Sequence, residues 1–212
     1  IAEALEGVGR FAWHAGDWGQ SSRYRASLTD RETRRFNIGA SGQLDLETLS
    51  GDITVRPSSG RELVIEIIKE ARGTTDAAAK TGLSRVRVDS EERAGRVTVK
   101  TVYPNERRSD SRVSVSYVVS APAGTRVSTH AVSGDVTVAG ISGELSVSTM
   151  SGDVTITDAS HVTGAKTVSG DLTLRNVGAE GLLEASTMSG EIIATGIKAR
   201  RLDFGTISGG VT

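Results

Sequence analysis

The tripeptide Ser-Gly-Asp or Ser-Gly-Glu begins at Ser133, Ser151, Ser169 and Ser189, and a degenerate Ser-Gly-Gly begins at Ser208. Successive copies are thus 18, 18, 20 and 19 residues apart. A unit this short cannot bury an apolar face by itself, so the copies must stack on one another and share a core. One further copy, Ser50-Gly51-Asp52, stands alone upstream.

Alignment on the tripeptide exposes the strands. Leu49, Val132, Met150, Val168, Met188 and Ile207 stand just before it, and Ile53, Val136, Val154, Leu172, Ile192 and Val211 stand just after it. Both columns are wholly apolar. Two residues further on come Val55, Val138, Ile156, Leu174 and Ala194, with Thr54, Thr137, Thr155 and Thr173 between. This is the period-two alternation of a strand with one buried face. Counting back from the column Thr149, Thr167, Thr187 and Thr206 gives a second, less clean inward set. It comprises Val147, Ala165, Ala185 and Phe204, then Leu145, Thr163, Leu183 and Leu202.

Two short strands per repeat, stacked in register, predict an all-β parallel β-helix, or β-solenoid, of 18 to 20 residues per rung. Rungs would lie about 4.8 Å apart. Gly51, Gly134, Gly152, Gly170, Gly190 and Gly209 supply the positive φ or close approach that each tight corner needs. The composition agrees, because 25 glycines, 3 prolines and 4% aromatic residues suit short strands and turns.

Upstream, longer alternating runs at Glu62 to Glu70, Arg85 to Asp89, Arg96 to Tyr103 and Arg112 to Ser120 read as longer strands, partly antiparallel. Thr75 ahead of Asp76, Ala77, Ala78, Ala79 and Lys80 predicts one short, capped helix, and Asn105 to Asp110 reads as a charged loop. The expected organisation is an N-terminal segment over 1–36, a β-rich region over 37–129, and the repeat array over 130–212, continuous with the region before it. The first segment holds Phe11, Trp13, Trp18, Tyr24 and Phe36, which suits a cap or clasp for an open stack end.

Three features carry a resemblance. They are the run from Leu44 to Val55 through Ser50-Gly51-Asp52, the alternating region closing on Val119 to Thr125, and the ordered Ser-Gly-Asp series that follows. Together, over roughly 35–212, they resemble the bacterial putative-adhesin family of β-strand-repeat domains, a group largely of unknown function. The resemblance implies a β-helix-like fold, an extracytoplasmic or envelope-associated setting in bacteria, and no catalytic residue to carry over.

Charge and chemistry narrow the function classes. A net charge of −1 from 25 basic and 26 acidic residues offers no field for nucleic acid or an anionic membrane. Absence of cysteine excludes disulfides and thiolate metal sites. No apolar run is long enough to span a bilayer, and Ile1 opens a charged stretch rather than a signal segment. The acidic column Asp135, Asp153, Asp171 and Glu191 would place like charges about 5 Å apart on stacked rungs. A bound Ca²⁺ would relieve that repulsion; so would solvent screening plus hydrogen bonds from each Asp to its own turn. The second reading is preferred, because Gly210 interrupts the column. His130, Ser133 and Asp135 offer the residue types of a hydrolase without an oxyanion feature, and serine occurs in every repeat.

The sequence therefore predicts a non-enzymatic, extracytoplasmic β-solenoid scaffold or adhesin-like binding protein of the bacterial cell envelope, without a cofactor. Its partner would be a protein or glycan. The outward row Thr137, Thr155 and Thr173 is the candidate binding face. Alternatives are a carbohydrate-binding or carbohydrate-active β-helix protein, and an envelope-sensing or regulatory domain.

Overall fold

The computed structural model of the chain describes residues 25–104 and 110–212. The loop read at Asn105 to Asp110 and the aromatics Phe11, Trp13, Trp18 and Tyr24 lie wholly or mostly outside the described residues. The N-terminal half forms β1 (Ala26–Asn37), β2 (Gln43–Ser50), β3 (Ile53–Ser58), β4 (Glu62–Gly73), α1 (Asp76–Arg85), β5 (Arg87–Arg93), β6 (Arg96–Val102) and β7 (Ser111–Pro122). Each repeat then gives a longer strand, a corner and a shorter strand. They are β8 (Arg126–Ser133) and β9 (Val136–Ala139), β10 (Glu144–Ser151) and β11 (Val154–Thr157), and β12 (His161–Lys166) and β13 (Leu172–Arg175). After these come β14 (Gly178–Ser189), β15 (Ile192–Thr195) and β16 (Lys198–Ser208).

Among the described residues the fold is all-β with one short helix, in two eight-stranded mixed sheets. One sheet runs β1-β4-β7-β3-β9-β11-β13-β15 and the other β16-β14-β12-β10-β8-β2-β6-β5. Repeat strands pair in parallel and in register: Val136 with Val154, Val154 with Leu172, and Leu172 with Ile192. The antiparallel pairs are β1 with β4, β4 with β7, and β5 with β6. Alternation of period two marks both kinds of strand and does not give direction: β5 and β6 form a hairpin, whereas β1 with β4 and β4 with β7 are antiparallel across intervening elements.

The upstream tripeptide turns out to be part of the same stack. Strand β2 lies between β6 and β8, and β3 between β7 and β9, so Ile53 pairs with Val136 on one side and Tyr117 on the other. The chain lays down this level first, leaves through β4, α1 and β5, and returns to build on both sides of it. Helix α1 begins where the Thr75 hydroxyl accepts a hydrogen bond from the Ala78 amide at 3.1 Å. It packs on β1, β4 and β7. Gly82 makes that contact close, since a Cβ there would stand 2.5 Å from Ser111 Oγ. Nearby, Arg34 on β1 reaches across to the other sheet and donates to the Val88 carbonyl and Ser90 Oγ on β5, both at 2.9 Å. This contact ties the two sheets together at their β1 and β5 edges.

The core lies between the sheets. Leu44, Leu46, Val136, Val138, Leu145, Val154, Ile156, Leu172, Leu174 and Ile192 are buried to 1% exposure or less. Two columns fall differently from a continuous alternation. The threonines before the corners, Thr48, Thr149, Thr167 and Thr187, are buried, whereas the apolar residues after them, Leu49, Val132, Met150, Val168 and Met188, are 39% to 54% exposed. The corner glycine is responsible: its positive φ breaks the alternation, so the apolar residues before and after the tripeptide face opposite ways. Thr163 leaves the inward column because the pairing of β10 with β12 shifts between Leu145 and Ser146, which buries Val162 in its place. Leu202 is 49% exposed because β16 is the edge strand of its sheet.

Thr129 interrupts the apolar interior with a fully buried hydroxyl that has no hydrogen-bond partner among the described residues. Thr129→Val keeps the shape and removes that desolvated group, and is expected to stabilise the protein by about 1 kcal/mol. Thermal unfolding should show a Tm raised by roughly 2 to 4 °C; a lowered Tm would mean that the hydroxyl has a partner.

Candidate functional site

Each repeat corner is built by four residue types acting together. Gly152 adopts φ +138°, and a Cβ on it would stand 2.2 Å from the carbonyl oxygen of Gly134 in the adjacent rung. All six corner glycines share positive φ, from 119° to 153°. The Gly152 amide donates to the Ser169 carbonyl at 3.0 Å. Its own carbonyl accepts from Thr167 Oγ1 at 3.1 Å, with equivalent bonds from Thr149, Thr187 and Thr206 to Gly134, Gly170 and Gly190. Hence the buried threonines: Thr149, Thr167 and Thr187 each satisfy a corner carbonyl turned inward, as a buried acceptor requires, while Thr48 donates to the Val115 carbonyl at 3.4 Å.

The acidic column completes the corner. Oδ1 of Asp52, Asp135, Asp153 and Asp171 accepts from the backbone amide of Asp135, Asp153, Asp171 and Glu191 respectively, at 3.0, 2.9, 2.8 and 2.7 Å. These bonds do not stay within each turn, as local turn chemistry predicts; they run to the next rung, because parallel stacking brings that amide directly alongside. Among the described residues no group of three or more histidine, cysteine or acidic side chains is arranged to hold a metal ion. Their amide bonds make the four aspartates rung-to-rung acceptors. Asp153→Ala is expected to cost roughly 1 kcal/mol, while Asp153→Asn, which keeps an acceptor oxygen and removes a charge, should be close to neutral. Millimolar Ca²⁺ should leave the Tm of the unsubstituted protein unchanged; a clear rise would reinstate the cation.

Three outward surfaces result. On the first sheet Thr54, Thr137, Thr155 and Thr173 are successive partners in register, at least partly exposed, and continued by Val118 and Ile193 at either side. The other two border the corner: the apolar row from Leu49 to Ile207, and the acidic row, separated by the Ser-Gly pairs.

Two tyrosines and two histidines have defined surroundings. Tyr117 is buried, and its hydroxyl lies 2.5 Å from Thr101 Oγ1; burial pushes its pKa up to about 12. Tyr103 donates to the Ser50 carbonyl at 3.2 Å and is likewise raised to about 12, chiefly by burial. His161 lies between the Ser142 carbonyl, 2.7 Å from Nδ1, and Glu180, 3.0 Å from Nε2; the carbonyl first and the carboxylate second raise its pKa. His130 approaches Ser128 Oγ at 3.4 Å rather than Ser133.

These stacked Ser-Gly-Asp corners fall within residues 39–212, the span matched by the family model described as Toastrack DUF4097. The chain belongs to the Toastrack DUF4097 family. The resemblance to a bacterial putative-adhesin family of unknown function is thereby supported. Among solved structures, this Toastrack chain is similar to a putative cell adhesion protein from Clostridium sporogenes at 9% identity and a TM-score of 0.47, over 86% of this chain and 97% of that one. It is also similar to a putative adhesin from Bacteroides fragilis, at 14% identity and 0.46, over 85% and 95%. A third, described as a putative lipid binding protein from Parabacteroides distasonis, has 12% identity and a TM-score of 0.25, over 86% and 96%. No curated protein matches the chain. No helix among the described residues is long and apolar enough to cross a membrane.

Proposed function

We propose that this Toastrack chain is a non-enzymatic, extracytoplasmic β-solenoid that acts as a scaffold or adhesin-like binding module of the bacterial envelope. The observation that carries the proposal is the threonine row. Parallel in-register pairing sets Thr54, Thr137, Thr155 and Thr173 side by side on one outward face, at the repeat distance of about 4.8 Å between strands. Catalysis needs different groups converging on one reacting atom; a line of identical hydroxyls instead suits an extended partner, whether a protein strand or a glycan chain, contacted over several rungs. Hydroxyl and methyl together offer hydrogen bonds and apolar contact without net charge.

The test is binding of purified protein to bacterial envelope fractions and to a glycan array, with Thr155→Lys placing a charge at the centre of the row and Thr155→Ser as control. Thr155→Lys should weaken binding at least about tenfold and Thr155→Ser should not. Undiminished binding by Thr155→Lys would remove the threonine face from the proposal. Products released from a polysaccharide would replace the module with an enzyme.

A further inference from the structure

The corner carries a second surface, on a different side of the molecule from the threonine row. Leu49, Val132, Met150, Met188 and Ile207 stand one residue before the ends of the longer strands, Val168 stands two residues beyond the end of β12, and these six, on successive levels, are 39% to 80% exposed. Internal repetition makes this informative. The outward position two residues earlier holds Glu47, His130, Ser148, Lys166, Ser186 and Gly205, polar or glycine throughout. The position before the tripeptide is apolar in every copy although it faces solvent. Ordinary outward strand positions do not require that.

Its neighbours define the partner. Beyond the Ser-Gly pairs runs the exposed acidic row Asp52, Asp135, Asp153, Asp171 and Glu191. One oxygen of each of the four aspartates is committed to a backbone amide, which leaves the second free to meet a cation. The apolar row presents on the order of 500 Å², well below the ~800 Å² per partner of a standard stable protein interface. It is also only one residue wide. A second copy of the chain would therefore be poorly held, and an anionic lipid surface would be repelled by the adjacent acids. A single helix fits better. Six levels span about 24 Å, the length of a helix of roughly 16 residues, and the helical pitch of ~5.4 Å nearly matches the rung spacing.

The geometry points to a docking site for an amphipathic helix of a partner protein, lying along the stack with one apolar stripe on the row Leu49 to Ile207 and lysines or arginines facing the acidic row. The helix would cross the strands rather than add to them. Such helix-on-surface recognition uses apolar anchors at i, i+3, i+4 and i+7, and the acidic row supplies orientation and specificity.

The test uses two dye-labelled synthetic peptides of about 18 residues, each with leucines at that spacing, one with lysines and one with glutamates along the same flank. The lysine peptide should bind with a Kd below ~100 µM and gain helical circular dichroism on binding. Met150→Ser combined with Met188→Ser should weaken it at least about tenfold. Asp153→Asn combined with Asp171→Asn should weaken it and flatten its salt dependence. All variants change exposed side chains, so their Tm values verify folding. The proposal is overturned if the lysine peptide does not bind, if the glutamate peptide binds equally well, or if the Met150→Ser, Met188→Ser variant binds as tightly as the parent. Two other results would assign the surface to another occupant and equally overturn it: dimerisation, or pelleting with phosphatidylglycerol-containing vesicles, lost in that same variant.

Discussion

Gly152→Val should lower the unfolding free energy by more than ~3 kcal/mol, among the largest effects of any single substitution in the chain. Two separate penalties combine. A β-branched residue at φ +138° occupies backbone space that L side chains avoid, at about 1 to 3 kcal/mol. Its Cβ would also stand 2.2 Å from the Gly134 carbonyl oxygen. That oxygen belongs to backbone and cannot rotate aside, so relief requires the two rungs to separate. Separation in turn loosens the Thr167 Oγ1 bond to the Gly152 carbonyl and the bond from the Asp153 amide to Asp135. Thr155→Ser, three residues away on an outward position, should change stability by no more than ~0.5 kcal/mol. Urea unfolding of the two variants measures the contrast; a Gly152→Val loss below about 1 kcal/mol would show that the corners are not stacked as described.

Leu172→Ala and Met150→Ala should differ just as clearly, although both sites belong to wholly apolar columns flanking successive copies of the tripeptide. Leu172 is fully buried between Val154 and Ile192. Its truncation opens a cavity that the rungs above and below cannot fill, a loss of about 2 to 5 kcal/mol. Met150 is 54% exposed, and its truncation should stay within roughly 1 kcal/mol. Equal losses at the two sites would mean that both columns face the core.

That pair marks the boundary of what was legible in the residues. The repeat, the two strands per copy, the corner glycines and the capped helix at Thr75 all rest on local chemistry, and local chemistry is what a sequence displays. Val154 and Ile156 read as inward, and are buried, because they sit within one uninterrupted strand. Met150 and Val154 look equivalent by alternation, yet a positive-φ glycine between them reverses the face. The compensating sign was present: a threonine precedes the apolar residue in the array at Thr149, Thr167, Thr187 and Thr206, and a threonine repeated so regularly signals a hydroxyl with a fixed acceptor. The acidic column was likewise visible, whereas its acceptor role was not, since the Asp153 amide meets Asp135 only through stacking. The position of Ser50-Gly51-Asp52 in the middle of the sheets could not be read at all. It depends on the chain returning through β6, β7 and β8 to both sides of one early level, a pairing with no local signature.

That pairing is also where the parallel, in-register stack can be tested most directly. The chain has no cysteine, so two introduced cysteines report on one another without interference. Thr54 and Thr137 are register partners, and Thr155 lies one level beyond Thr137. Adjacent levels hold Cα atoms about 5 Å apart, within the range a disulfide spans; levels two steps apart, at nearly 10 Å, lie outside it. Thr54→Cys with Thr137→Cys should form an intramolecular disulfide under mild oxidation, seen by non-reducing electrophoresis and intact mass, and Thr54→Cys with Thr155→Cys should not. Failure of the first pair, or ready crosslinking of the second, would contradict the stack.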